Sequence, residues 1–209
     1  MKLKICGMRN AKNIADVLAL QPDYMGFIFY AKSKRFVGED FDAAITAVIS
    51  ASTQKVGVFV NSDFDYITSK VDKYGLQCVQ LHGNESAELC QELKGKGIEV
   101  VKVFSVGEDF DFEKLKAYEN HCDYFLFDTK GKDPGGNGVT FNWQVLENYP
   151  SSKPFFLSGG IGVEHLPLLQ KWQHPQLYAI DVNSRFEVKP AEKNVEKLRK
   201  LVDGIYSKQ

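Results

Sequence analysis

Cys6, Asp128 and Arg35 stand out as side chains of this chain whose types and settings suit acid–base work on a small anionic molecule. Cys6 follows the run KLKI, and a thiol at a strand end acts as base or nucleophile when a nearby cation lowers its pKa from about 8.5 toward neutrality. A free cysteine serves equally well as a small buried hydrophobe, and spacing alone leaves both uses open for Cys6. Cys78, Cys90 and Cys122 fit the second use, because none of them ends a strand run. Asp128 closes the run YFLFD, where alternation turns Tyr124, Leu126 and Asp128 to one face and Phe125 and Phe127 to the other. Burying a carboxylate there is costly unless it is paired or useful. Partial burial would raise its pKa toward that of a general acid, while capping of the following loop is the plainer alternative.

Arg35, in Lys32-Ser33-Lys34-Arg35-Phe36, offers a forked guanidinium suited to a carboxylate, although most such basic clusters are solvated loops. Gln80 and His82 share a strand face with Cys78, and an inward histidine of this kind is as readily structural as functional. Ser158-Gly159-Gly160 and Asp181-Val182-Asn183-Ser184-Arg185 end the last two strand runs. Glycines and backbone N–H groups at such positions receive phosphate, so Gly159, Gly160, Asn183 and Ser184 are expected to form an anion cradle, with Arg185 either adding charge or standing in solvent. The stretch TKGKDPGGNGVTFNW (129–143) has the composition of a loop that closes over a substrate. It lacks the GK[ST] ending of a nucleotide-binding loop.

These residues need a frame that gathers them. Eight β-rich runs supply it: 2–8, 24–29, 55–60, 78–83, 99–106, 124–129, 155–160 and 177–184, each ending in glycine or a reactive polar residue. Apolar residues at helical spacing fall between them, at about 11–20, 39–50, 63–74, 86–96, 110–119, 141–148 and 162–171, with a last helix near 190–207. Asn10, Asp63 and Ser86 are placed as helix starts, and Gly75, Gly95 and Gly97 as helix ends. Strands alternating with helices imply parallel βαβ units. Eight such units in 209 residues predict one α/β domain spanning 1–209, a (β/α)8 TIM barrel near the small end of its range. The rival, an open doubly wound sheet, would carry GxGxxG after its first strand, where this chain reads Cys6-Gly7-Met8-Arg9.

Composition narrows the partners. Lys plus Arg total 26 against 27 acids, so no basic surplus invites nucleic acid. The cysteines form no CxxC pair and no histidine cluster joins them, so no metal site is expected. The opening MKLKICGM enters a strand without an apolar leader, and no apolar run approaches the ~20 residues of a membrane helix. A cytoplasmic protein with free thiols is therefore expected.

The motifs together resemble the phosphoribosylanthranilate isomerase family. The matching segments are KICGM (4–8), GFIFY-KSKRF (around 26–36), VGVFVN (56–61), VQLHG (79–83), FDT followed by GGNG-TF-W, and LSGGI (157–161), in family order over nearly the whole chain. The resemblance implies an Amadori rearrangement of N-(5-phosphoribosyl)anthranilate in tryptophan biosynthesis, without cofactor or metal. It implies Asp128 as general acid, Cys6 as general base and Arg35 as the holder of the anthranilate carboxylate. Gly159, Gly160 and the end of the last strand run would hold phosphate, and Gln80 and His82 would line the pocket. Many members read DVSSG-E where this chain reads DVNSRFE, so Arg185 replaces a glycine that permits close backbone approach. The alternatives are another phosphosugar-converting barrel or a phospholigand-binding barrel without turnover; monomer and homodimer both stay open.

Overall fold

The computed structural model describes residues 1–129 and 142–206. Its strands are β1 (Lys2–Ile5), β2 (Tyr24–Ile28), β3 (Gln54–Phe59), β4 (Cys78–Leu81), β5 (Glu99–Val106), β6 (Tyr124–Thr129), β7 (Phe155–Leu157) and β8 (Leu177–Val182). All pair in parallel and in sequence order, and β8 pairs with β1 to close the barrel. The expected (β/α)8 barrel is the observed fold. Of the 129–143 stretch expected to cover a substrate, residues 130–141 lie outside the described residues.

Alternation along each strand builds two cores. Residues such as Leu3, Ile5, Phe27, Phe59, Phe125, Phe127 and Ile180 face the surrounding helices. Tyr24, Val56, Cys78, Val101, Leu126, Phe156 and Ala179 face inward and fill the barrel. The N-terminal end is closed by aromatics: Tyr124 stacks on Tyr178 with ring centroids 4.6 Å apart, and the Tyr24 and Tyr178 hydroxyls are 3.1 Å apart. Inward residues at the other strand ends meet no such layer, which leaves the C-terminal mouth for a ligand.

The helices are α1 (Ala11–Leu18), α2 (Ala43–Ala47), α3 (Phe64–Tyr74), α4 (Ala87–Gly95), α5 (Leu166–Lys171) and α6 (Val195–Tyr206). Asn10, Asp63 and Ser86 cap α1, α3 and α4 by accepting from the N–H groups of Asn13, Tyr66 and Leu89. Gly75 ends α3 in the left-handed region at φ 57°. Gly95 is instead the last residue of α4, and Lys96 is its cap.

Three segments depart from expectation. Phe112–Tyr118 and Trp143–Asn148 are 3-10 helices, short pieces closed by i to i+3 bonds such as Lys114 N–H to Asp111 C=O. The last helix starts at Val195, because an antiparallel hairpin of β9 (Glu187–Lys189) and β10 (Glu192–Lys193) precedes it. Pro190 interrupts helical bonding there, and Ala191 turns the chain at φ 64°.

One buried ion pair holds the mouth rigid. Lys102 on β5 donates to Glu85 Oε2 at 3.0 Å and to the Gly83 carbonyl at 2.7 Å. Glu85 also accepts from the N–H groups of Asn61 (2.8 Å) and Gly83 (2.9 Å), so one carboxylate ties together the ends of β3, β4 and β5. The two side chains are 3% and 1% exposed, so removing one charge strands the other. Glu85→Gln is expected to destabilise the fold by about 3–5 kcal/mol. A urea midpoint lowered at constant m-value checks this.

Candidate active site

Cys6 continues the line of β1, donating its N–H to the Val182 carbonyl of β8 at 2.9 Å. Its thiol is buried beside Gly26 of β2, where a Cβ would lie 2.8 Å from Sγ. Glycine at position 26 is thus what makes room for the thiol. Beneath it, on the same face of β1, Lys4 Nζ pairs with Asp181 Oδ1 of β8 at 2.8 Å. The Ser158 hydroxyl donates to the other Asp181 oxygen at 3.3 Å. Burial pushes the Cys6 thiol above its ordinary value, against the pull of Lys4 and Lys193. The cations anticipated near this thiol are present, yet desolvation outweighs them. Burial also works against charge on Lys4, but Asp181 prevails and holds the ammonium well above its usual range.

Asp128 is the next-to-last residue of β6, which is separated from β1 only by β7 and β8 around the closed barrel. Its Oδ1 accepts from the Thr129 N–H at 2.9 Å, and its Oδ2 lies 3.3 Å from His82 Nε2. His82 Nδ1 is 2.9 Å from Gln80 Nε2, which gives a line Gln80–His82–Asp128 across the ends of β4 and β6.

Arg35 reaches the mouth from the loop after β2, but not alone. Its Nε meets Glu187 Oε1 at 2.8 Å and its Nη2 meets Oε2 at 2.6 Å, a two-point pairing that bridges the segments after β2 and β8 over the end of β1. Glu187 in turn accepts from Lys193 Nζ at 2.7 Å, and the same Nζ donates to Asn183 Oδ1 at 2.7 Å. Gly7, at φ 77°, permits this crowding, since a Cβ there would come within 2.8 Å of Asn183 Oδ1 and 2.9 Å of Arg35 Cδ.

The end of β7 also rests on glycine. Gly159 and Gly160 take φ 93° and 65°, and a Cβ on Gly159 would collide with Thr129 of β6. Asn183 has its Oδ1 engaged by Lys193, which leaves its amide Nδ2 as donor, and Ser184 opens a one-turn 3-10 segment, Ser184–Phe186. The Arg185 guanidinium is 45% exposed and lies 3.6 Å from Glu164, so its charge is shared with that carboxylate.

A single pocket at the C-terminal mouth is lined by Cys6, Arg35, Gln80, His82, Asp128, Gly159, Gly160, Asn183, Ser184 and Arg185 together. Ile28, Val58 and Val60 add an apolar wall. Lys4, Glu187 and Lys193 join this site without having been expected from the sequence. Lys4 had a usable signal, a lysine at an inward strand position; Glu187 and Lys193 had none.

A closed parallel barrel with a thiol, a carboxylate and a paired-glycine turn lining one pocket at its C-terminal mouth has the architecture of the (β/α)8 enzymes. The model of the family N-(5'phosphoribosyl)anthranilate (PRA) isomerase matches residues 3–204. The chain belongs to that family. The N-(5'-phosphoribosyl)anthranilate isomerase of Parabacteroides distasonis is 42% identical over 206 residues, 98% of this chain and 93% of that protein. The crystal structure of the Thermotoga maritima enzyme superposes with a TM-score of 0.88 at 30% identity, covering 99% of each chain. A further phosphoribosyl anthranilate isomerase, solved in complex with reduced 1-(o-carboxyphenylamino)-1-deoxyribulose 5-phosphate (rCdRP), gives a TM-score of 0.85 at 27% identity over 99% of each chain.

Proposed function

We propose that this chain catalyses the Amadori rearrangement of N-(5-phosphoribosyl)anthranilate to 1-(2-carboxyphenylamino)-1-deoxyribulose 5-phosphate, the isomerase step of tryptophan biosynthesis. The observation that carries the reading is that Cys6, Asp128 and the Gly159-Gly160 turn line one and the same pocket. Phosphate sits against the backbone N–H groups there, with Asn183 and Ser184 beside it. The anthranilate ring lies on the wall of Ile28, Val58 and Val60, and its carboxylate meets Arg35.

Asp128 gives a proton to the ribose ring oxygen as the C1–O bond breaks. The aniline nitrogen supplies the electron pair that forms the C1=N Schiff base. The Cys6 thiolate then removes the C2 proton, and the released pair forms C1=C2 while the C=N electrons return to nitrogen. The enolamine gains a proton at C1 while its C2 hydroxyl gives one up, and the C2–O bond becomes the C=O of the ketone. Protons move and no electrons are gained or lost overall, so the balance closes without a redox cofactor. Among the described residues no helix is long and apolar enough to cross a membrane. The unpaired state of Cys6, Cys78, Cys90 and Cys122 supports a cytoplasmic setting.

Freshly generated phosphoribosylanthranilate is fluorescent through its anthranilate ring, and its loss can be followed directly. The wild-type protein is expected to consume it in a concentration-dependent manner, with the ketose phosphate as product. Binding of rCdRP without turnover of substrate would mark the chain as a binding barrel. Absence of both would mark it as a different phosphosugar enzyme.

A further inference from the structure

The hairpin after β8 places two buried charges behind the pocket that the proton transfers do not use. Glu187 is 5% exposed and Lys193 is fully buried, an expensive arrangement without a return in structure or function. The hairpin is anchored away from the mouth. Lys193 exchanges backbone bonds with the Asn13 side chain of α1, at 2.7 and 2.9 Å, and the Ala191 N–H also donates to Glu187 at 3.0 Å. Glu187 is therefore fixed independently of Arg35, and Arg35, arriving on a loop, is the partner that is being held.

Two features of this cluster point to a ligand. First, Glu187 occupies the Nε and Nη2 edge of Arg35, so the guanidinium plane is set and its remaining Nη1 corner is directed by that choice. Second, two basic groups, Arg35 and Lys193, share one carboxylate, Glu187, so the guanidinium does not have that carboxylate to itself. An anion entering the pocket beside Arg35 adds a second acceptor for the guanidinium.

We infer that Glu187, backed by Lys193, is a positioning residue that sets Arg35 for the substrate carboxylate and ties that end of the site to Asn183 at the phosphate end. This rests on the proposed reaction and adds what determines selectivity for an anthranilate over an unsubstituted aniline. The charges that keep Glu187 ionised are the same two that it aligns. Burial favours its neutral form, but Arg35 and Lys193 outweigh that and hold its carboxyl below the usual range.

The test measures two stable ligands by calorimetry: rCdRP and its counterpart lacking the ring carboxylate, reduced 1-phenylamino-1-deoxyribulose 5-phosphate. Glu187→Gln is expected to weaken rCdRP by tenfold or more and the carboxylate-free ligand by less than about threefold. Arg35→Met should show the same split, and the double variant should be no worse than Arg35→Met alone, the mark of one coupled unit. Thermal unfolding accompanies each variant. If Glu187→Gln fails to fold, Glu187→Asp is read in its place, since it keeps the charge but is one methylene too short to hold both cations. Equal loss for both ligands, or no loss for rCdRP, overturns the inference while leaving the reaction standing. A wild-type protein that binds neither ligand and turns over no substrate overturns the reaction itself.

Discussion

The Asp128→Asn variant is expected to fold and to bind rCdRP within a few-fold of wild type, yet lose about 10²–10⁴-fold in kcat. Asparagine has nearly the same shape and keeps an oxygen for the Thr129 N–H, so the end of β6 should hold its course. What disappears is the proton that ring opening needs. The Oδ2 position faces His82, and an amide placed there offers no acid of useful strength. Because the deficit lies in the transition state, kcat and kcat/KM should fall together while KM changes little. Ligand affinity measured by calorimetry separates this from damage to the pocket. A variant that retained more than a tenth of wild-type kcat would remove Asp128 from the role of acid.

Cys6→Ser is expected to be equally severe, about 10²–10⁴-fold in kcat, for the complementary reason. A hydroxyl fits beside Gly26 where the thiol did, but it is a far weaker acid and supplies almost no conjugate base near neutral pH. The wild-type pH profile carries the sign of the thiol's shift. Its folded pKa is raised by burial against the opposing pull of Lys4 and Lys193, so the neutral form predominates at neutrality. The thiolate fraction, and with it kcat/KM, should climb with pH until that raised pKa is passed, on the alkaline side of an ordinary cysteine. Removing the Lys4–Asp181 pair by Lys4→Met with Asp181→Asn leaves no stranded charge and takes away the cation beneath the thiol. The rising limb should then move further to alkaline pH. A limb that stays in place on this change would mean that another group sets it.

The strands were legible because their inward and outward faces are chemically unlike: Leu3 and Ile5 against Lys4 and Cys6, or Phe125 and Phe127 against Leu126 and Asp128. Parallel pairing in sequence order then carries every strand end to the same rim, so the ten candidate residues fall in one pocket. The cluster behind the pocket has a different physics. Arg35 and Glu187 are 152 positions apart, and nothing local to either announces the other. Lys193 sits in KPAEKN, a string that reads as solvated surface and as the approach to a helix. Only the turn at Ala191 folds it under the rim, where it becomes a fully buried cation. The 3-10 segments escaped for a related reason: apolar spacing over one or two turns does not distinguish i to i+3 from i to i+4 bonding.

The aromatic layer at the N-terminal end gives the molecule two separate optical windows. Trp143 and Trp172 are its two tryptophans, 5.8 Å apart on the outer wall beside β7 and α5. Tyr24, Tyr124 and Tyr178 cluster on the floor inside the strands. Tryptophan emission during denaturation thus reports one sector of the wall, whereas near-ultraviolet tyrosine signals draw on all nine tyrosines, three of which form the floor. Coincidence of the two curves would show that the barrel opens in a single cooperative step, and their separation would show the tryptophan sector detaching out of step with the rest.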